Sequence, residues 1–243
     1  MENKKKIILF ILIGLFANTS FSQTENTDFS AWFSAQLNYK LNKKWTFSLQ
    51  EQLRLKENAS TIDGYFTQLG VRYNLVKGLT VGVGYRYIRK NDNKGAKQGY
   101  DSYNRYQFDL LYGHKISRFN MKYRTRFNTR NEIGVSKADG DIPRNYIRFK
   151  AGTRYNIKGW KLDPELSSEI FYRLGSEVSS DNGFNGYRVT FGTSYTTKKI
   201  GKIGVYYRLE KEINTENPRT NNILRIKYSY TIKNKKKKKK KKK

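Results

Sequence analysis

The sequence predicts an all-β protein, an antiparallel transmembrane β-barrel of about 12 strands (11 can be counted) preceded by a signal peptide. Three observations lead there. Apolar and polar residues alternate with period two through most of the chain, as strands with one greasy and one wet face require. Short connections alternate with longer polar ones. The first 22 residues have the order of an export leader.

The leader comes first. Lys4, Lys5 and Lys6 precede the apolar run Ile7 to Phe16, and Ala17 to Ser22 turn small and polar, which places the mature start at Gln23. The apolar run falls short of the ~20 residues a spanning helix needs. No Cys occurs in the chain, which excludes both a lipid-anchored cysteine and a disulfide framework. The domain plan is therefore leader 1–22, barrel 23–234 and a disordered poly-Lys tail 235–243. Aromatic residues reach 15% with 19 Tyr and only 3 Pro, while mean hydropathy is −0.83, which suits a wall with only alternate residues facing lipid.

The strands follow in order. Phe29, Ala31, Phe33, Ala35, Leu37, Tyr39 and Leu41 form one apolar face, with Trp32 a misfit on the polar one. Trp45 to Lys56 resumes the period, then Tyr65 to Leu75, and after Lys77-Gly78 the run Leu79 to Tyr87. Tyr106 to Tyr112, Phe119 to Asn128, Ile147 to Tyr155, Leu162 to Tyr172, Tyr187 to Tyr195, Ile203 to Ile213 and Leu224 to Ile232 complete the count. Short turns are expected at Asn42–Lys44, Val76–Gly78, Lys115–Arg118, Asn156–Gly159 and Thr197–Lys202. Longer connections are expected at Glu57–Ser60, Arg89–Gly99, Asn131–Ile142, Gly175–Gly186 and Asn214–Arg219, in strict alternation with the short ones. Aromatic residues such as Trp45, Tyr73, Phe119 and Tyr155 flank the short turns, as rings at headgroup level do. Two features run against the pattern. Eleven is odd where bacterial barrels are even, and Glu51 falls on the lipid-facing parity unless a bulge near Gln50 turns it inward.

The net charge of +29 leaves +18 on residues 23–234 once +2 on the leader and +9 on the tail are set aside. Export argues against nucleic acid as the partner of so basic a chain. Outer-membrane lipid, and the assembly machinery met during biogenesis, are the expected partners. Arg72, Arg86, Arg105, Lys122, Arg124, Arg126, Arg148, Lys150 and Arg154, with Arg188 and Arg208, fall on the inner parity. Rings of Arg and Lys select anions, so they could line a narrow anion pore. Glu165 with Glu169, and Glu210 with Glu212, sit two apart on one strand face. Their spacing of about 6.5–7 Å suits either paired-carboxylate chemistry or neutralisation of Arg148, Arg154, Arg188, Arg208 and Arg225; neutralisation is preferred. A lumen closed by such networks is then the alternative to a pore. The Gly82-Val83-Gly84 cluster is expected to relieve crowding rather than to cradle phosphate, since no helix follows it.

Trp32, Trp45, Glu51-Gln52-Leu53-Arg54, Arg72-Tyr73, Tyr85-Arg86-Tyr87, Asn104-Arg105 and Pro164-Glu165-Leu166 through Glu169 and Phe171 carry a resemblance. From about Asp28 to Lys233 the chain resembles the outer-membrane β-barrel family known as domain of unknown function 2490. The resemblance implies the barrel and the outer membrane, and it implies no catalytic residues. The chain departs from that pattern where its last strand runs on into Lys235–Lys243. No enzyme, cofactor or metal site is expected: the single His, His114, lies at a short-turn end beside Ser117, and with no Cys a His/Cys metal set cannot form. Three readings remain: an anion pore, a closed barrel whose long loops bind a partner or glycan, and, weakest, a lipid-modifying enzyme.

Overall fold

A computed structural model describes residues 26–91, 99–136, 138–139, 141, 143–175, 183–197 and 199–234. The leader, the mature start at Gln23 and the tail 235–243 lie outside these residues, as do most of Arg89–Gly99 and Gly175–Gly186. Eleven strands follow one another: β1 Asn26–Lys40, β2 Trp45–Lys56, β3 Thr61–Val76, β4 Leu79–Asn91, β5 Tyr100–Ile116 and β6 Phe119–Glu132. β7 Arg144–Tyr155, β8 Asp163–Leu174, β9 Gly183–Thr197, β10 Gly201–Glu212 and β11 Arg219–Lys233 complete them. Each pairs with its chain neighbours, and β1 pairs with β11 to close the barrel.

The odd count dictates the closure. Successive strands reverse direction, so in a ring of eleven the first and last must run the same way. β1 and β11 accordingly pair in parallel, from Asn26 opposite Arg219 to Lys40 opposite Lys233. A twelfth strand is not found among the described residues; the parallel seam takes its place. Slanted parallel bonds are slightly weaker per residue than antiparallel ones, yet the seam leaves no open edge. The chain thus enters β1 at the rim of the longer connections and leaves β11 at the opposite rim, where Asn234 N donates to Lys40 O at 3.0 Å.

Alternation along each strand sorts the side chains into an outer apolar wall and a polar lumen. Phe33, Leu37, Leu49, Leu69, Val83, Phe108, Phe127, Phe149, Leu166 and Val205 are exposed on the outside, while Gln52, Arg86, Gln107, Asp109, Arg126, Asn128, Glu169 and Arg208 are buried within. Among the described residues only four apolar ones are buried, Ala31, Trp32, Phe66 and Ile223, against thirteen polar or charged ones, so the interior is polar and the greasy surface faces out. That inverts the arrangement of a water-soluble domain. Aromatic pairs gird both rims. Trp45–Tyr73 at 4.7 Å and Phe119–Tyr155 at 4.8 Å lie at the short-turn end. Tyr65–Tyr100 at 6.0 Å and Tyr172–Phe184 at 5.1 Å lie at the other.

Two local expectations need correction. Connection lengths do not alternate strictly: the β2–β3 link spans four residues, like the β1–β2 link, while the β7–β8 link spans seven. The β2–β3 turn is tight because Glu57, Asn58 and Ala59 all adopt left-handed backbone (φ 55–61°). Asp28 holds them there, its carboxylate accepting the Glu57 and Asn58 amides at 3.1 Å each. Glu51 is not turned inward by a bulge. The β1–β2 register runs unbroken past Gln50, and the only shift against β3 falls at Arg54/Leu55. Glu51 therefore stays on the outer wall between Ala35 and Thr67, accepting the Thr67 hydroxyl at 2.9 Å.

Candidate functional site: the basic lumen

Trp32 explains its own misfit. Because β1 directs Ser30, Trp32, Ser34 and Gln36 inward, the indole lies in the lumen, 8% exposed, and three guanidinium groups gather on it. Arg54 lies 4.2 Å from the ring centroid, Arg208 5.2 Å and Arg188 5.8 Å. Two further inward aromatics do the same. Phe66 carries Arg86 at 3.6 Å and Arg54 at 5.3 Å, and Phe171 carries Arg148 at 4.5 Å and Arg188 at 5.0 Å. The negative face of an arene attracts a cation without cancelling its charge. Trp32, Phe66 and Phe171 thus act as posts that orient arginines and leave them cationic.

Carboxylates form the second kind of support. Glu169 on β8 binds Arg124, Arg148 and Arg188 at 2.6, 2.9 and 3.3 Å. Arg188 also pairs with Glu210 on β10. Arg126 engages Asp109 with both arms of its fork, at 2.6 and 2.8 Å. Lower down, Glu165 accepts the Ser194 hydroxyl at 2.5 Å, Lys202 at 3.2 Å and the Tyr206 hydroxyl at 3.3 Å, with Arg154 3.7 Å away. Asp163 lies 3.4 Å from Arg154.

Every basic residue singled out from the sequence lies on the lumen side. Arg86 donates to Gln68, Arg105 to Asn128 and Arg208 to Thr190, so these three bond to neutral partners. Lys150 and Arg72 line the cavities without an ion pair among the described residues. Of the four expected counterions, Glu165, Glu169 and Glu210 meet cations, whereas Glu212 accepts the Arg219 backbone amide at 3.2 Å and fastens the β10–β11 connection instead. Arg208 and Arg225 have no carboxylate within bridging distance among the described residues, so the expected neutralisation by the paired carboxylates does not extend to them. Beyond these, the fold adds Arg54, Asp109, Gln52, Lys227 and the three aromatic posts. Trp32 is detectable in sequence as an aromatic on polar parity. Phe66 and Phe171 are hidden because their neighbours Tyr65, Ile170 and Tyr172 are apolar in the other phase.

Among the described residues the lumen holds cavities that share wall residues, three of which bear on the site. The first, of about 600 Å³ toward the longer connections, is bordered by sixteen Lys and Arg and four carboxylates. A middle cavity of about 280 Å³ shares Arg124, Lys150, Arg208 and Arg225 with it. The third, about 630 Å³ toward the short turns, shares Lys122, Glu165 and Tyr206 with the middle one. Lys227 borders all three. Gly82 and Gly84 keep the wall thin beside Arg72 and Gln107: a β carbon on Gly84 would lie 3.0 Å from the Gln107 amide, and one on Gly82 3.3 Å from the Arg72 chain. The expected relief of crowding is thereby explained. His114 packs 5.4 Å from Tyr112 and 5.8 Å from Tyr123, while Ser117 occupies the following turn with φ 50°.

No curated protein and no solved structure matches the chain. One family model does match, that of a protein of unknown function (DUF2490), over residues 29–238. This span takes in all the inward residues that bear the sequence resemblance, from Trp32 and Arg54 to Glu169 and Phe171, and the chain belongs to the DUF2490 family.

Proposed function

We propose that the chain is an exported, integral outer-membrane β-barrel whose basic lumen passes small anionic solutes, with no enzymatic activity of its own. One observation carries the reading: an apolar, aromatic-rimmed outer wall encloses a cavity bordered by sixteen basic and four acidic side chains. Hydrocarbon demands that every backbone group be paired, which a closed ring satisfies, and it favours an outward apolar wall. Inside, excess fixed positive charge raises the local concentration of anions and excludes cations. Eleven strands lie between barrels of about eight, which side chains fill, and those of about sixteen, which hold an open channel, so a narrow passage is the expected outcome. Membrane lipid is then the partner of the outer wall, and the barrel assembly machinery its partner during insertion.

The test is conductance of the purified protein in planar bilayers under a salt gradient. Stable steps with an anion-selective reversal potential are expected. Silence at every voltage would reject the pore, and free solubility of the folded chain without detergent would reject the membrane barrel altogether. A closed barrel with binding loops is the second reading. It is favoured by the Glu165 cluster, which gathers Ser194, Lys202 and Tyr206 where the middle and short-turn cavities meet.

A further inference from the structure

We infer that the cavity toward the longer connections is a binding site for a small organic polyanion, one bearing two or more phosphate or carboxylate groups. The inference rests on the reading of the lumen as an anion path and adds what that path retains. Four features of this cavity converge on it.

The first is the polarity of its unmet hydrogen bonds. Gln52, Arg54, Arg105, Arg124, Arg148 and Arg225 all border this cavity, and the Gln52 amide nitrogen and the five arginine Nε atoms behind its surface are buried with no partner among the described residues. Against these six donors stand only two unmet acceptors on its wall, Asn185 Oδ1 and Asn221 Oδ1. Buried polar groups are rarely left unpaired, so the missing complement is rich in acceptors and poor in donors. The second feature is the way the cations are held. Arg54 and Arg208 lean on Trp32, and Arg86 leans on Phe66; none of the three has a carboxylate within bridging distance among the described residues. Arg86 already donates from Nε and Nη2 to Gln68, and Arg208 from Nε to Thr190, so the N–H groups of these guanidiniums not engaged in this way are the ones left to meet an oxyanion.

Third is burial. Gln52 is only 5% exposed, so its free amide is not simply bonded to bulk solvent. Last is size. About 600 Å³ falls in the range of small-molecule sites, roughly 300–1,000 Å³, and far exceeds what a halide fills. Monovalent ions would pass such a chamber; a compact frame with several anionic groups would engage its donors at once. Multivalent engagement multiplies affinity in a way that single contacts do not.

The experiment titrates folded protein in detergent micelles with fructose, fructose 6-phosphate and fructose 1,6-bisphosphate, which place zero, one and two phosphates on one frame. Trp32 reports occupancy by fluorescence, because Trp45 and Trp160 lie exposed on the outer surface. Affinity is expected to rise by about tenfold or more with each phosphate and to fall steeply with added salt. Citrate is expected to bind as a carboxylate equivalent. Arg54→Gln with Arg225→Gln should weaken the bisphosphate at least tenfold while boiled and unboiled samples keep their separate gel mobilities. Equal or absent binding of all three sugars by the wild-type barrel overturns the site. Binding without conductance would sink the pore and keep the site, whereas anion-selective conductance without binding would sink the site and keep the pore.

Discussion

On β6 to β9 Arg124, Arg126, Arg148, Arg154 and Arg188 meet carboxylates, with Glu169 alone engaging Arg124, Arg148 and Arg188. Along β1 to β4 they meet arene faces and amides instead: Arg54 on Trp32, and Arg86 on Phe66 with Gln68 as acceptor. Both arrangements hold a long, flexible cation in one place. Only the first neutralises it. The carboxylate sector behaves as a staple between strands, and the arene sector as a surface that keeps its field. A lumen built wholly of the first kind would be inert, and one built wholly of the second would repel itself. On the proposed function, this division of labour lets a barrel this basic fold while its unneutralised arginines still attract anions.

The largest effect should come from breaking the staple. Glu169→Gln leaves three guanidinium groups around a neutral amide, and removing one partner of a buried ion network costs about 3–5 kcal/mol. Urea unfolding in lipid vesicles should show that loss, and a midpoint like that of the wild type would show the network to be ornamental. Trp32→Ala comes next. It takes the arene face away from Arg54, Arg188 and Arg208 at once, and with cation–π contacts of roughly 0.5–2 kcal/mol each, about 2 kcal/mol should be lost. Trp32→Phe should restore most of it, since a smaller arene still offers a negative face; failure of Phe to rescue would mean that volume, not the ring quadrupole, is what the position needs.

Lys227 sharpens the comparison from the other side. It borders all three cavities and has no carboxylate partner among the described residues, so charge reversal there breaks no staple. Lys227→Glu should leave thermal stability nearly unchanged and shift the reversal potential toward cations. An unaltered reversal potential would show that ions do not pass beside this residue.

The wall was legible in the sequence and the lumen chemistry only partly so. Each strand announces itself locally, since Phe119, Met121, Tyr123 and Thr125 against Asn120, Lys122, Arg124 and Arg126 need no knowledge of the rest of the chain. Inward placement of the basic residues follows from that parity. Pairing does not: Glu169 meets Arg124 from β6, two strands away, and that contact depends on strand tilt and register. Glu212 has the parity of a lumen counterion, but as the last residue of its strand it bonds the Arg219 amide at the rim. Glu51 illustrates the reverse error. Its parity places it outside, and no bulge near Gln50 turns it inward, because Thr67 supplies a donor to the carboxylate there. The seam was also within reach, because a closed ring of eleven alternating strands must contain one parallel pair.

The smallest expected effect concerns the proposed passage beside the Glu165 cluster. Gly204 stands two residues before Tyr206 on the same face of β10, and Gly192 lies opposite Tyr206 on β9. A β carbon built on Gly204 would fall 2.5–2.8 Å from atoms of the Tyr206 ring, so the ring lies flat over the space that this glycine leaves. That posture keeps Tyr206 along the wall where the middle and short-turn cavities meet, with its hydroxyl on Glu165. Gly204→Ala has only this flexible side chain to displace among its nearest contacts, so the barrel should still form, at a cost of about 1 kcal/mol. The displaced ring has nowhere to go but inward. Single-channel conductance should therefore fall while anion selectivity persists, and adding Tyr206→Ser to the same variant should restore it. If Gly204→Ala conducts like the wild type, the ring is not what sets the width there, and the constriction must be assigned to the Lys202–Glu165–Arg154 charges instead.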